Sequence, residues 1–214
     1  MADSTLGWGI LATGGIAHAF ASDLAHEGFR LAAVGSRRAD AARAFATEFR
    51  IPNAHGSYEE LVADDTVDVV YIATPHPMHV DNALSAIEAG KHVLIEKPVT
   101  LNASDAQRIA DAAAERGVVA MEAMWTRFLP HMVRIREILA SGVLGEVRTV
   151  IADHTQALPT NPEHRLQNPE LGGGALLDLG IYPVSFAVDV LGMPSGIRAH
   201  ASMTPTGVDR QTAM

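Results

Sequence analysis

The sequence predicts an α/β chain: a doubly wound parallel sheet over residues 1–125, followed over residues 126–214 by the start of an incomplete α+β domain. Three observations carry this. Short, nearly continuous apolar runs alternate with helical segments through the first part, the pattern of strands covered on both faces. A glycine-rich turn joins the first run to the first helix. After Pro130 the alternation stops.

In chain order, residues 8–12 form an apolar run closed by glycines, and residues 16–26 follow at helical spacing: strand, turn, helix. Residues 30–35 (RLAAVG) are a second apolar run, and the alanine-rich residues 39–49 have helical composition. The unit repeats with residues 67–73 (VDVVYIA), a helix over 79–89 and the run 92–95 (HVLI). A helix over 104–116, with Ser104 as its N-cap, and the run 118–121 complete the sheet. Beyond Pro130 come a helix over 131–139, then residues 146–156, the longest strand candidate and rich in β-branched residues. A polar loop leads to Gly172-Gly173-Gly174, an apolar helix over 175–191, a strand over 197–203, a turn at 206–209, and a strand from 210 cut off as it begins. Two strands and a helix rarely form a stable unit, so the natural protein is expected to be longer.

Composition narrows the function. Hydrophobic residues make up 48% and charged residues 19%, which supplies a packed core and excludes a disordered tail or fibrous repeat. Sixteen Lys and Arg against 25 Asp and Glu leave a formal charge of −9, which disfavours nucleic acid and anionic membranes as partners. With no cysteine there is no disulfide framework, thiolate metal site or Cys nucleophile, which suits a reducing compartment. Residues 4–22 lack Asp, Glu, Lys and Arg, but Gly7, Gly9, Gly14, Gly15 and His18 interrupt them. No Lys or Arg precedes Arg30, so the basic start of a secretory signal is missing; no membrane span and a cytoplasmic location are expected.

The first turn, Ala12-Thr13-Gly14-Gly15-Ile16-Ala17, is a degenerate G-x-G-x-x-G/A with Ala12 in place of the first glycine. Gly14 admits a pyrophosphate to the backbone, Ala17 lets the helix approach its strand, and the helix N-terminus faces the anion; the alternative is a turn that merely tightens the fold. After the second run, where an NAD site has a carboxylate for the ribose 2′-hydroxyl, the chain reads Ser36-Arg37-Arg38. Two guanidiniums and a hydroxyl suit a 2′-phosphate; a solvated basic pair is the other reading. Thr74-Pro75-His76-Pro77-Met78-His79 lies at the carboxyl end of a strand, where such sheets place ligands. His76 and His79 lack a third metal ligand nearby, so cofactor positioning or a helix start is favoured and no metal is expected. Glu96-Lys97-Pro98 ends the next strand, where the Lys97 cation can stabilise an alkoxide or favour ionisation of a neighbouring acid, unless Glu96 and Lys97 are a solvated pair.

Glu122, Trp125 and Arg127 either line a cleft or pack between domains. Asp178 and Tyr182, four apart on an apolar helix after the triglycine, share a face. A phenol with an ordinary pKa of about 10 exchanges protons near neutrality only beside a cation, and Lys97 is the candidate. A hydrogen-bonding Asp178 and a core Tyr182 are the structural alternative.

The glycine turn, the 73–79 segment, Glu96-Lys97-Pro98 and the 172–182 segment together resemble the Gfo/Idh/MocA oxidoreductases. Glu122 to Phe128 and Leu179-Gly180-Ile181-Tyr182-Pro183 are similar to the dihydrodiol and NADP-dependent D-xylose dehydrogenase branch. That resemblance implies an NADP-binding Rossmann domain and a second, substrate and dimerisation domain built on a mostly antiparallel open sheet. It makes Lys97, Asp178 and Tyr182 the catalytic group, with Tyr182 where many members carry His. The cofactor-binding set is Thr13, Gly14, Gly15, Ile16, Ser36, Arg37, Arg38, Thr74, Pro75, His76, His79, Glu96, Lys97, Trp125 and Arg127. The expected activity is hydride transfer between NADP and a small-molecule sugar or cyclic diol, in a homodimer or higher homo-oligomer formed through the second-domain sheet. The alternatives are an NADP-binding regulator or sensor without turnover, and an NAD-dependent polyol dehydrogenase.

Overall fold

The computed structural model describes residues 5–214; Ser4, where the uncharged stretch begins, lies outside the described residues. The chain divides into two compact units, one running to Ala123 and one from Met124 to Met214.

The first unit is a six-stranded sheet of β1 Gly7–Leu11, β2 Arg30–Gly35, β3 Asn53–His55, β4 Val69–Ile72, β5 His92–Ile95 and β6 Ala120–Glu122. Its order is β3-β2-β1-β4-β5-β6 and every neighbouring pair is parallel. Helices α1 Gly15–His26, α2 Ala39–Phe49, α3 Tyr58–Val62, α4 His79–Glu88 and α5 Ala103–Arg116 connect the strands. Successive residues of one strand enter opposite cores: Ile10 and Tyr71 pack with Phe45, while Leu11 and Ile72 pack with Leu61 and Ile87. Both faces are therefore buried, which is why these strands read as unbroken apolar runs. The chain winds outward in both directions from β1 and β4, so the crevice at their carboxyl ends is the switch point.

Two local expectations are corrected. The N-cap of α5 is Asn102, whose side chain accepts from Asp105 N, while Ser104 sits inside the first turn and donates to Asn102. Neither β3 nor α3 was foreseen, because the three residues Asn53, Ala54 and His55 give no apolar run.

The second unit holds α6 Pro130–Ala140, three 3-10 turns at Trp125–Phe128, Arg165–Gln167 and Pro169–Leu171, and a π-helical turn Leu176–Gly180 that runs into α7 Ile181–Leu191. An antiparallel pair, β7 His200–Met203 and β8 Asp209–Ala213, follows. Residues 146–156 form no strand, contrary to expectation, and Ile151 is 93% exposed. A strand exists through the neighbour that satisfies its backbone, and none of the described residues pairs with this segment. The strand expected from residue 197 begins at His200, and the segment expected as a strand from residue 210 is β8, paired with β7 on either side of a register shift at Arg210. The helical stretch Pro169–Leu191, 23 residues at mean hydropathy 1.5, has the length and composition to cross a bilayer. Two of the three carboxylates within it, Asp178 and Asp189, are ion-paired to arginines of their own unit.

Candidate active site

In the first unit the predicted residues gather at the carboxyl ends of β1, β2, β4 and β5. The β1–α1 turn opens the site. Ala12 has φ +92°, a conformation in which glycine is ordinarily needed. Gly14 is the N-cap of α1 at φ −79° and ψ 178°, a backbone any residue adopts, and a Cβ at Gly14 or at Gly15 would meet nothing within 4 Å. Neither backbone geometry nor internal packing demands glycine there. No side chain caps α1 and its first turn carries no acid, so no side chain satisfies its N-terminal N–H groups beside Thr13 and Ile16, the latter 49% exposed. The turn fits a pyrophosphate.

At the end of β2, Ser36 is buried, its N–H donating to the His55 carbonyl (3.2 Å) and its Oγ accepting from Arg38 N (3.3 Å). Arg38 is exposed and paired with Asp40 at 2.8 Å, a contact that draws the Asp40 carboxyl down to about 2. Arg37 lies beside Tyr58; burial raises that phenol's pKa and the nearby guanidinium partly opposes the rise.

At the end of β4, Thr74 and His76 are buried and Pro75 caps a 3-10 turn. His79 has no exposed surface; Nδ1 lies 3.0 Å from the Pro98 carbonyl and Nε2 2.9 Å from the Thr74 carbonyl. Lying between these two carbonyls, with a ring N–H to donate, His79 links the loops after β4 and β5.

The loop after β5 is held residue by residue. Lys97 N donates to Glu96 Oε2 (3.2 Å), Pro98 O meets His79, and Val99 N donates to Glu122 Oε1 (2.8 Å). Glu96 Oε1 accepts from the hydroxyl of Tyr71 on β4. Tyr71 is a contributor that the sequence reading missed; a lone polar group in a wholly apolar strand is its only signal.

In the second unit, Trp125 Nε1 donates to Tyr182 Oη (3.1 Å), with the rings edge to face, and the His154 ring lies 5.1 Å from that of Tyr182. Asp178 is 7% exposed and accepts from Arg165 at 3.1 Å. The π turn that carries Asp178 ends just before Tyr182. The triglycine is explained by its own surroundings: a Cβ on Gly173 would meet three carbonyl oxygens within 2.9 Å, and Gly174, at φ +116°, lies against Asp209. Asp209 also accepts from Leu176 N (2.8 Å), fastening the start of the Asp178 turn. Arg127 is paired with Asp189 at 2.8 Å. Arg165, Asp209, Asp189 and His154 were not legible in the sequence, since their partners lie up to 62 residues away.

Comparison with known proteins identifies the family. Residues 6–124 match the oxidoreductase family with an NAD-binding Rossmann fold, Gfo/Idh/MocA, and residues 132–214 match its C-terminal domain. The D-xylose 1-dehydrogenase (NADP(+)) of Hypocrea jecorina is 42% identical over 87% of this chain and 53% of its own length. The trans-1,2-dihydrobenzene-1,2-diol dehydrogenase of Mus musculus is 42% identical over 95% of this chain and 62% of its own. A Tyr-to-Phe mutant of KijD10, a 3-ketoreductase from Actinomadura kijaniata solved with TDP-benzene and NADP, superimposes with a TM-score of 0.82 at 30% identity, covering 97% of this chain and 64% of that one. The chain thus spans between 53% and 62% of the length of these two curated relatives. It belongs to the Gfo/Idh/MocA oxidoreductase family.

Proposed function

We propose that this chain forms the cofactor-binding part and the beginning of the substrate-binding part of an NADP-dependent dehydrogenase or reductase acting on the CH–OH group of a sugar or cyclic diol. The observation that carries the reading is the pair Gly14–Gly15, glycine without a conformational or packing reason, at an uncapped helix N-terminus. An external group approaching the backbone accounts for it. NADP, when bound, supplies the site that gives or accepts hydride.

The chain's own residues divide the remaining work. The α1 N-terminus binds the pyrophosphate, and Ser36 with Arg37 takes the 2′-phosphate, Arg38 being shared with Asp40. Thr74, Pro75, His76 and Glu96 border the nicotinamide ribose. Tyr182 exchanges the hydroxyl proton of the substrate, its oxygen oriented by the Trp125 N–H. Lys97 supplies the positive charge against which the phenol gives up that proton, and Asp178, itself held by Arg165, orients substrate hydroxyls. The names of the similar sugar and diol dehydrogenases support this substrate class. A cytoplasmic location and a homo-oligomer assembled through the second unit's sheet belong to the same proposal, and sedimentation of the protein tests the assembly.

The decisive experiment is Tyr182→Phe, assayed with NADP and a panel of aldoses and diols. Turnover is expected to fall by about 10² or more while NADPH binding is kept. Near-normal turnover would remove Tyr182 from its role.

A further inference from the structure

Strand β4 is apolar at Val69, Val70 and Ile72, and Tyr71 between them is 1% exposed. A buried phenol needs a partner for its hydroxyl, or the unmet group costs about 1–3 kcal/mol. The partner is Glu96, 25 residues away and just beyond the end of β5. The parallel register sets Tyr71 beside Leu94, and side chains alternate along a strand, so Leu94 and Glu96 lie on the face that Tyr71 occupies. The ring itself is fixed: it stacks on Phe20 of α1, centroids 3.9 Å apart and planes 27° apart. Since α1 opens at Gly14–Gly15, one rigid line of contacts runs from the helix at the glycine turn to the Glu96 carboxylate.

Donor and acceptor are assigned by the surroundings. Burial first, and then the adjacent Glu96 charge, push the Tyr71 phenol far above its ordinary 10, so it keeps its proton and donates. Glu96 therefore receives one bond on each oxygen, from Tyr71 on Oε1 and from Lys97 N on Oε2, which fixes the plane of the carboxylate. Each oxygen retains a lone pair for a further donor. Phenylalanine would fill the same volume and stack equally well on Phe20; the hydroxyl serves Glu96 alone.

We infer that Tyr71 is a positioning residue, holding the Glu96 carboxylate in the orientation in which it takes the hydroxyls of the nicotinamide ribose; this rests on the dinucleotide reading above. It acts through Glu96 and touches no reacting atom.

The test is a binding titration on the full chain with two probes, NADPH and adenosine 2′,5′-bisphosphate, the second lacking the nicotinamide ribose. Tyr71→Phe is expected to weaken NADPH about tenfold, the loss of one hydrogen bond to a charged group, and to leave the bisphosphate unchanged. Glu96→Gln should reproduce that selective loss, and adding Tyr71→Phe to it should cost less than about twofold more. An equal loss for both probes would show general loosening of the sheet and overturn the inference, as would undiminished NADPH binding in either single variant or fully multiplicative losses in the double. If the unaltered chain binds the bisphosphate but not NADPH, the inference falls while the adenosine half of the reading stands; if it binds neither, both fall.

Discussion

Asp64→Asn should destabilise the first unit at neutral pH, and the loss should fade on acidification. The carboxylate of Asp64 accepts from Thr66 N (2.8 Å), Thr66 Oγ1 (2.6 Å), His55 Nε2 (2.9 Å) and Asn53 Nδ2 (2.9 Å), tying the edge strand β3 to the loop before β4. Burial alone would raise its pKa, but the bonds from Thr66, His55 and Asn53 outweigh burial and lower it from 3.8 to about 2. The side chain is 8% exposed, so little is lost to solvent screening. At about 1.4 kcal/mol per tenfold change in proton affinity, the network contributes on the order of 2 kcal/mol. Because the folded pKa lies below the unfolded one, this contribution is present above pH 3.8 and disappears as the pH falls through about 2. Urea unfolding of wild type and Asp64→Asn, followed by circular dichroism from neutral pH downward, measures it. The two midpoints should converge in acid. A difference under about 0.5 kcal/mol at neutral pH, or one that persists unchanged to the acid end, would refute the assignment. The His55 carbonyl also accepts from Ser36 N, so the variant tests how firmly the 2′-phosphate segment is mounted.

Two further outcomes are expected. Arg37→Ala should weaken NADPH by about tenfold or more while NADH changes little, since only the former carries the 2′-phosphate; equal losses in a fluorescence titration would argue against that recognition. Ala12→Gly should stabilise the chain by about 0.5 kcal/mol in thermal unfolding, the relief of φ +92° strain less the greater entropy of glycine in the unfolded chain; a drop in Tm would refute that balance.

The first sheet was legible because its signals are local. Runs such as residues 31–35 and 93–95 are apolar throughout since both faces are covered, and that property travels with the sequence. The strand β3 was hidden because its three residues owe their conformation to pairing with β2 and to the Asp64 network. Residues 146–156 erred in the other direction: strong β propensity is written there, yet propensity yields a strand only beside a partner. At the site, the glycines, arginines, Glu96, Lys97 and Tyr182 stood out as residue types at strand ends and on one helix.

From the sequence alone came the doubly wound architecture, the glycine turn at its switch point and the residue types gathered around it, all consequences of spacing along the chain. Tertiary structure alone decided which group holds which: Tyr71 on Glu96, His79 on the carbonyls of Thr74 and Pro98, Arg165 on Asp178, and Trp125 on Tyr182 across 57 residues. Such pairings depend on strand register, on the π turn that re-phases one helix and on which side chains burial brings within hydrogen-bond reach, and no local pattern encodes them.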